Sequence, residues 1–215
     1  MMVYVESNFL LEMVFEQPDS AAAEAILTHA ESSSIELAMP TMALVEPFAT
    51  LRYRNSERRE VLDSWSHTMN RLKPNRLHDL GLVVAKDRLD SSLVDAYGDA
   101  ADIVRRRSSR LDEVVDRVIS VTTVLSVGAS EFRRAIDYRQ FGLDVVDSLI
   151  YVTVITHLEQ TSAGTASCFV SRDKKGFANQ RISAELATHG SRYISTFTNA
   201  LNFIQSNLHA EEPPT

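Results

Sequence analysis

Five acidic residues stand where strands would end and helices would begin in an alternating α/β pattern. Glu6 follows a short apolar run, Glu46 lies one helical turn beyond a second run, and Asp173 follows a third. Asp144 and Asp147 lie three residues apart at the start of a helical segment, which places them on one helix face. Ligands of open parallel sheets bind beyond the carboxyl ends of the strands. We therefore expect these carboxylates to converge at one sheet edge.

Carboxylates that converge in this way repel each other, and a bound cation neutralises them. Ligand sets made only of oxygen suit Mg²⁺ or Mn²⁺, which also contact the phosphate of a substrate. The six histidines show no zinc-ligand spacing. The pattern therefore predicts a Mg²⁺ or Mn²⁺ site.

Three of the five acidic residues also have a purely structural interpretation. Asp144 and Asp147 suit the first turn of a helix, and Asp173 suits an ordinary turn. Glu46 differs, because it lies between apolar neighbours on a helix face, where an unpaired carboxylate is costly. The coincidence of three strand ends with one helix start favours a common site.

The elements that would position these residues alternate between short apolar runs and longer helical segments. The predicted strands cover residues 2–5, 35–39, part of 118–127, 168–170 and 193–194. Such alternation predicts βαβ units and an α/β fold with a parallel sheet flanked by helices. Ser7 or Asn8 is expected to cap the first helix.

The chain is predicted to form one domain over residues 1–208. Residues 52–117 are polar and helical, and no Gly/Ser-rich linker flanks them, so we interpret them as a helical insertion. Residues 209–215 are predicted to be a disordered tail.

Composition limits the classes of function. The net charge of −7 over 215 residues argues against a protein that coats nucleic acid through bulk charge, but not against a nuclease with an acidic site. A single cysteine, Cys168, excludes an internal disulfide and indicates a reducing, cytoplasmic location. The N-terminus has no signal-peptide pattern, and no apolar run is long enough to cross a membrane. We expect no membrane partner.

Four segments carry a family resemblance. Residues 3–11 contain a strand, an acidic residue, Asn8 and an apolar pair, and residues 40–46 contain Pro40 and a helix with an inward glutamate. Residues 142–150 form an acidic helix start, and residues 170–177 contain Ser171, an aspartate and Phe177. In this order and spacing, the chain resembles the PIN-domain family, a fold of many metal-dependent ribonucleases.

The resemblance implies a parallel sheet of order 3-2-1-4-5, a Mg²⁺ or Mn²⁺ site and endonucleolytic cleavage of single-stranded RNA. By position, the resemblance implies that four acidic residues are catalytic and bind the metal: Glu6, Glu46, Asp147 and Asp173. It also implies that Asn8 and Ser171 are polar residues that support them. Asp144 would replace or assist Asp147 as a ligand. Glu6 departs from the family, which usually has an aspartate there.

RNA must still be attracted to an acidic centre. Arg172, Lys174 and Lys175 flank Asp173 and are candidate RNA-binding residues, as are Arg52 and Arg54. The last two begin the segment 52–76, which holds seven Lys or Arg residues against three Asp or Glu residues. Such cations can contact phosphates, or they can form a solvated helix face.

Two other classes of function remain open. The chain could be a PIN-like module that binds nucleic acid or protein with little or no catalysis, and Glu6 is the best support for this alternative. A phosphoryl-transfer domain is disfavoured, because phosphoaspartate chemistry needs an aspartate at position 6, where this chain has a glutamate. The sequence also leaves open whether the chain is a toxin bound by an antitoxin, a nuclease in another role, or a homodimer.

Overall fold

Five parallel strands form the centre of the computed structural model, which describes residues 1–71, 83–161 and 166–211. The strands are β1 (Met2–Val5), β2 (Glu36–Pro40), β3 (Thr122–Leu125), β4 (Ser167–Val170) and β5 (Ser191–Ile194). Their order is β3-β2-β1-β4-β5, and every neighbouring pair is parallel. The predicted α/β class and strand order are confirmed.

Eight α-helices flank the sheet or extend from it in the described part of the chain. They are α1 (Ser7–Phe15), α2 (Ser20–Glu31), α3 (Thr41–Arg71), α4 (Val83–Val121), α5 (Ala129–Tyr138), α6 (Val145–Gln160), α7 (Gln180–Thr188) and α8 (Phe197–Glu211). A short 3₁₀ helix, Arg139–Phe141, follows α5. Helix α6 contacts β2 and β3, whereas α8 contacts β4, β5 and α2.

Burial explains why the strands are almost continuously apolar. Every residue of β1 and β4 is buried, as expected for parallel strands covered on both faces. Helix α6 is buried at eight consecutive positions, 148–155, which is typical of a core helix. Since the strands are parallel, Val5, Pro40 and Val170 end at the same edge of the sheet.

The chain divides into two compact units. The first comprises Met1–Pro47 and Leu111–Thr215, and the second comprises Phe48–Arg110. The predicted insertion, 52–117, therefore covers most of the second unit, and its place within a single domain stays a prediction. Pro47, the last residue of the first unit in α3, lacks the N–H that a helix interior normally uses.

The C-terminal helix is longer than the sequence pattern suggested. Helix α8 continues to Glu211, so the segment 209–215, predicted as a disordered tail, begins inside a helix. Residues 212–215 lie outside the described residues.

No single helix among the described residues is both long and apolar enough to span a membrane. The segments Ala129–Phe141 and Val145–Gln160 reach that length and composition only together, and they are bent by 115° relative to each other. The second of these segments is mostly buried inside the protein.

Candidate functional site

The five predicted acidic residues line one cavity in the first unit. Its volume is about 450 Å³. Glu6 directly follows β1, Asp173 lies in the turn after β4, Glu46 lies in the second turn of α3, and the other two begin α6. The residues that line the cavity are Glu6, Ser7, Asn8, Leu11, Gln17, Glu46, Asp144, Asp147, Arg172 and Asp173. The structure thus brings together the side chains that the sequence singled out.

Glu6 is both a helix cap and a buried acid. It is 2% exposed, and its Oε2 accepts hydrogen bonds from the backbone N–H of Asn8 and the hydroxyl of Ser7, each at 2.9 Å. The expectation that Ser7 or Asn8 caps α1 is therefore wrong, because the Glu6 side chain takes the N–H of Asn8. This capping contact engages one of the two carboxylate oxygens of Glu6.

The second oxygen of Glu6, Oε1, is buried and accepts no hydrogen bond from any described residue. Burial raises the pKa of Glu6, and the hydrogen bonds from Asn8 and Ser7 partly offset the rise. A buried carboxylate oxygen without a partner is costly, and it marks a position for a water molecule or a cation.

Asp144 and Asp147 have different roles at the start of α6. Asp144 is the N-cap, and its Oδ1 accepts the N–H of Asp147 at 2.9 Å. This is the structural role that the sequence also allowed for it. Asp147 lies in the first turn and is not the cap. Of the two, Asp147 is therefore the better candidate ligand.

Asp173 lies in a turn that aims one oxygen towards Asp147. Its Oδ1 accepts the N–H of Lys175 at 2.9 Å, and its own N–H donates to Ser171 Oγ at 3.0 Å. A β-carbon built on Gly176 would lie 2.7 Å from Asp173 Oδ2 and 3.2 Å from Asp147 Oδ2. The two oxygens are therefore separated by no more than the sum of these distances, 5.9 Å.

Asp147 shows that the carboxylates form one electrostatic group. Its pKa is raised from 3.8 to about 7. Burial is the largest cause, followed by the negative charges of Asp144, Asp173, Glu46 and Glu6. Asp147 is therefore partly protonated at neutral pH, and a nearby cation would favour its ionised form.

The side chains as placed do not form a direct ligand set. Within the described ranges, no three His, Cys, Asp or Glu side chains are arranged to hold one metal ion together. Mg²⁺ commonly keeps several waters and binds through one or two carboxylates plus substrate phosphates. The unpaired Glu6 Oε1 and the repulsion felt by Asp147 suit such a hydrated cation, because each lacks a positive partner. The oxygen donors fit Mg²⁺ or Mn²⁺ on this basis.

Arg172 is the one cationic side chain among the described residues that line the cavity. It forms an ion pair with Glu12 and donates a hydrogen bond to Gln17 Oε1 at 3.2 Å. Glu12 is 1% exposed, and its Oε2 accepts the N–H of Asp19 at 3.0 Å. Arg172, predicted to bind RNA, is thus held at the cavity by a buried acid.

The other predicted RNA-binding residues lie on exposed surface. Lys174 and Lys175 are exposed in the turn that contains Asp173. Arg52 and Arg54 are exposed on α3, in the second unit. Their contact with RNA stays a prediction.

Comparison of the chain with protein-family models, curated proteins and solved structures found no match. The resemblance to the PIN-domain family therefore stays a prediction.

Sequence reasoning missed Glu12, although a signal for it was present. Glu12 interrupts the apolar run from Phe9 to Val14, and an unpaired carboxylate on an apolar helix face is costly. The same reasoning holds less well for Glu46, because the neighbouring Val45 is 56% exposed and Glu46 itself is partly exposed. Glu12 is the more deeply buried of the two acids.

Gly176 and Tyr193 were also missed, and for them the sequence carries no comparable signal. Gly176 leaves room for two carboxylates, which only the folded structure can reveal. The Tyr193 hydroxyl donates to the Ser171 carbonyl oxygen at 3.0 Å. Burial, together with the charges of Asp173 and Glu6, raises the pKa of Tyr193 to about 12, so it remains a hydrogen-bond donor at neutral pH.

Cys168 is fully buried in β4, and burial raises the pKa of its thiol to about 12. It is therefore a small core residue with no nucleophilic role.

Proposed function

We propose that the protein is a Mg²⁺- or Mn²⁺-dependent endoribonuclease that hydrolyses phosphodiester bonds of single-stranded RNA. The supporting observation is that burial, followed by the negative charges of four other predicted site residues, raises the pKa of Asp147. Acids that serve only structure are normally paired with cations or backbone N–H groups. A shared cavity lined by five carboxylates and one arginine suits the binding of a divalent cation better than it suits a purely structural role.

Each residue has a distinct role in this proposal. The cation would be held by the predicted quartet, with Asp144 assisting; the quartet is Glu6, Glu46, Asp147 and Asp173. When bound, the cation lowers the pKa of a water molecule and stabilises charge that develops on the phosphate. Ser171 Oγ accepts the backbone N–H of Asp173 and so orients that residue, whereas the backbone N–H of Asn8 donates to Glu6 Oε2 and orients its carboxylate. The expected products carry a 5′-phosphate and a 3′-hydroxyl, as the family resemblance implies.

RNA approaches a protein of net charge −7, so local cations must offset the overall repulsion. Lys174 and Lys175 are exposed beside Asp173 and can contact phosphates that flank the cleaved bond. Arg52 and Arg54, which are exposed on α3 in the second unit, can also contact RNA phosphates. We propose that this reaction takes place in the cytoplasm, with an antitoxin or a second copy of the chain as the protein partner.

The experiment is metal-dependent cleavage of a labelled single-stranded RNA by the full chain. We expect cleavage with Mn²⁺ and none with EDTA. Asp147→Asn should reduce cleavage by about 100-fold or more, because a bound cation supplies several kcal/mol of transition-state stabilisation. Asp137→Asn is the matched control, since Asp137 is exposed on α5 and outside the cavity, and it should leave cleavage unchanged.

A PIN-like binding module without efficient chemistry is the second candidate. It is favoured by the lack of a direct ligand set in the described residues and by Glu6 in place of aspartate. RNA binding that Mn²⁺ strengthens, without cleavage, would support this module and contradict the nuclease.

A further inference from the structure

We infer that Glu12 is a positioning residue, which holds Arg172 so that its guanidinium contacts an RNA phosphate at the cavity. This inference rests on the proposed function and adds to it a residue that does not line the cavity itself.

The burial of Glu12 needs an explanation. Its side chain is 1% exposed, and a buried carboxylate is tolerated only when it is paired and hydrogen-bonded. Arg172 supplies the charge, and the N–H of Asp19 satisfies the other oxygen. Both oxygens of Glu12 therefore have partners, and loss of Arg172 would leave a buried carboxylate oxygen unpaired.

The pairing gives Arg172 a partner outside the group of predicted metal ligands. Five carboxylates line the same cavity, and an unrestrained guanidinium there would neutralise one or two of them. Instead, Arg172 is paired with an acid on α1 that is not one of the five. The five carboxylates thus remain available to a metal ion, and Arg172 remains available to an anion.

The geometry of Arg172 leaves donors for a ligand. Its contacts with Glu12 and Gln17 are both made by Nη1, and a guanidinium also carries N–H groups on Nε and Nη2. The side chain is 33% exposed. A phosphate is the anion that a planar, forked donor at a candidate nuclease site would recognise.

The test measures the affinity of the full chain for a fluorescein-labelled single-stranded oligouridylate, with Ca²⁺ in place of Mg²⁺ or Mn²⁺. Four variants are compared with the natural chain: Glu12→Gln, Glu16→Gln, Arg172→Lys and Arg172→Gln. Glu16 is exposed at the end of α1, so Glu16→Gln removes one negative charge without disturbing Arg172. Salt titrations and melting temperatures are recorded for each protein.

Positioning and simple charge predict opposite signs for Glu12→Gln. Removing a negative charge should tighten RNA binding or leave it unchanged, as we expect for Glu16→Gln. If Glu12 positions Arg172, Glu12→Gln should instead weaken binding about tenfold, the equivalent of one charge-assisted hydrogen bond. Arg172→Lys should weaken RNA binding by a similar factor, because lysine lacks the planar, forked set of donors of a guanidinium. It should leave the salt dependence of binding unchanged, because lysine keeps the positive charge.

Arg172→Gln should also reduce the salt slope by about 0.7, the value for one phosphate contact with a single strand. If Glu12→Gln fails to fold, Arg172→Lys decides, since it keeps a cation beside Glu12. If the folded Glu12→Gln and Arg172 variants bind RNA as tightly as the natural chain, the inference is overturned, but the proposed function is not. Reduced cleavage with unchanged affinity would also overturn it, because Glu12 would then act on the metal site. A natural chain that neither binds nor cleaves RNA would overturn the proposed function and this inference together.

Discussion

Asp147 and Asp173 meet beside Gly176, with their Oδ2 atoms 3.2 Å and 2.7 Å from the position that a β-carbon on this glycine would occupy. The two acids come from the start of α6 and from the turn after β4, so the glycine joins separate parts of the sheet edge. Gly176 does not have a positive φ. Close approach of the carboxylates, and not backbone conformation, is therefore the reason that glycine is needed here.

Gly176→Ala should disturb the site more than the fold. The added methyl would meet Asp173 Oδ2 at 2.7 Å, and the turn contact to Lys175 limits how far Asp173 can move. We expect Mn²⁺-dependent cleavage to fall by about 10- to 100-fold, as small displacements of catalytic groups do, with a small loss of melting temperature. Cleavage rates and thermal melts measure the two effects.

Gly98→Ala is the matched control for this substitution. A β-carbon at Gly98 meets nothing within 4 Å, and the residue lies inside α4. Alanine should stabilise this helix by about 0.5 to 1 kcal/mol and leave cleavage unchanged. Equal cleavage by the Gly176→Ala and Gly98→Ala proteins would show that the absence of a side chain at Gly176 is not needed for cleavage.

Asp147→Asn should show that the metal-free protein is strained by its own charges. Because folding raises the pKa of Asp147 from 3.8 to about 7, the folded state binds more protons than the unfolded state. The tighter proton binding by Asp147 in the folded state stabilises the fold. This stabilisation is fully present below pH 3.8 and is lost as the pH rises through 7. Without metal, the variant should therefore melt at the same temperature as the natural chain or higher at pH 8, and its advantage should shrink towards pH 4.

Mn²⁺ should raise the melting temperature of the natural chain, since it binds only the folded state, and should raise that of Asp147→Asn less. Asp144→Ala supplies the contrast, because loss of the N-cap costs about 1 kcal/mol. That variant should melt lower without metal and keep most of the Mn²⁺ increment. The same behaviour in Asp147→Asn would make Asp147 a structural residue.

The sheet and the positions of the acids could be predicted from the sequence because both depend on local patterns. Apolar runs mark strands, and in a parallel sheet the residues after them share an edge. The cap at Glu6 could not be predicted in this way, because glutamate is not a preferred N-cap and Ser7 or Asn8 was the expected choice. The side chain of Glu6 reaches the N–H of Asn8 nevertheless, since burial holds it there.

Contacts between distant segments were beyond sequence reasoning. Arg172 and Gln17 are 155 positions apart, and Thr41 Oγ1 donates to the carbonyl oxygen of Leu125 over 84 positions. Nothing in the spacing of such residues indicates a partner, because the sheet topology alone brings them together. The second unit begins directly after Pro47, slightly before the predicted insertion of residues 52–117, and a proline inside a helical pattern is a signal for a local break.

Glu6→Asp tests whether the extra methylene limits activity. Aspartate can still cap α1, and its shorter side chain restores the residue type that the family resemblance implies at this position. We expect Mn²⁺-dependent cleavage to rise, and we expect Glu6→Ala to lower it because a ligand is removed. Initial cleavage rates over a range of Mn²⁺ concentrations measure both effects. If all three proteins cleave equally, Glu6 does not bind the cation.

His157, in the last turn of α6, gives the fold a second pH dependence of opposite sign. Its Nδ1 lies 2.8 Å from the hydroxyl of Tyr4, which is fully buried in β1. Burial lowers the pKa of His157, and the charge of Glu36 only partly offsets this effect. Burial also raises the pKa of Tyr4 to about 12, so the tyrosine stays protonated. The neutral imidazole is therefore the form that the folded state prefers.

Because the folded state binds the proton of His157 less tightly than the unfolded state, stability is present above the ordinary pKa of 6.5 and is lost as the pH falls through the lowered value. His157→Gln keeps a hydrogen-bonding side chain near Tyr4 and removes the titration. Both proteins should be made with Asp147→Asn, which eliminates the opposing slope of Asp147. Urea unfolding between pH 5 and pH 8 should then show the His157 protein losing stability relative to His157→Gln on the acid side. Parallel curves for the two proteins would mean that the Tyr4 contact does not depend on the protonation of His157.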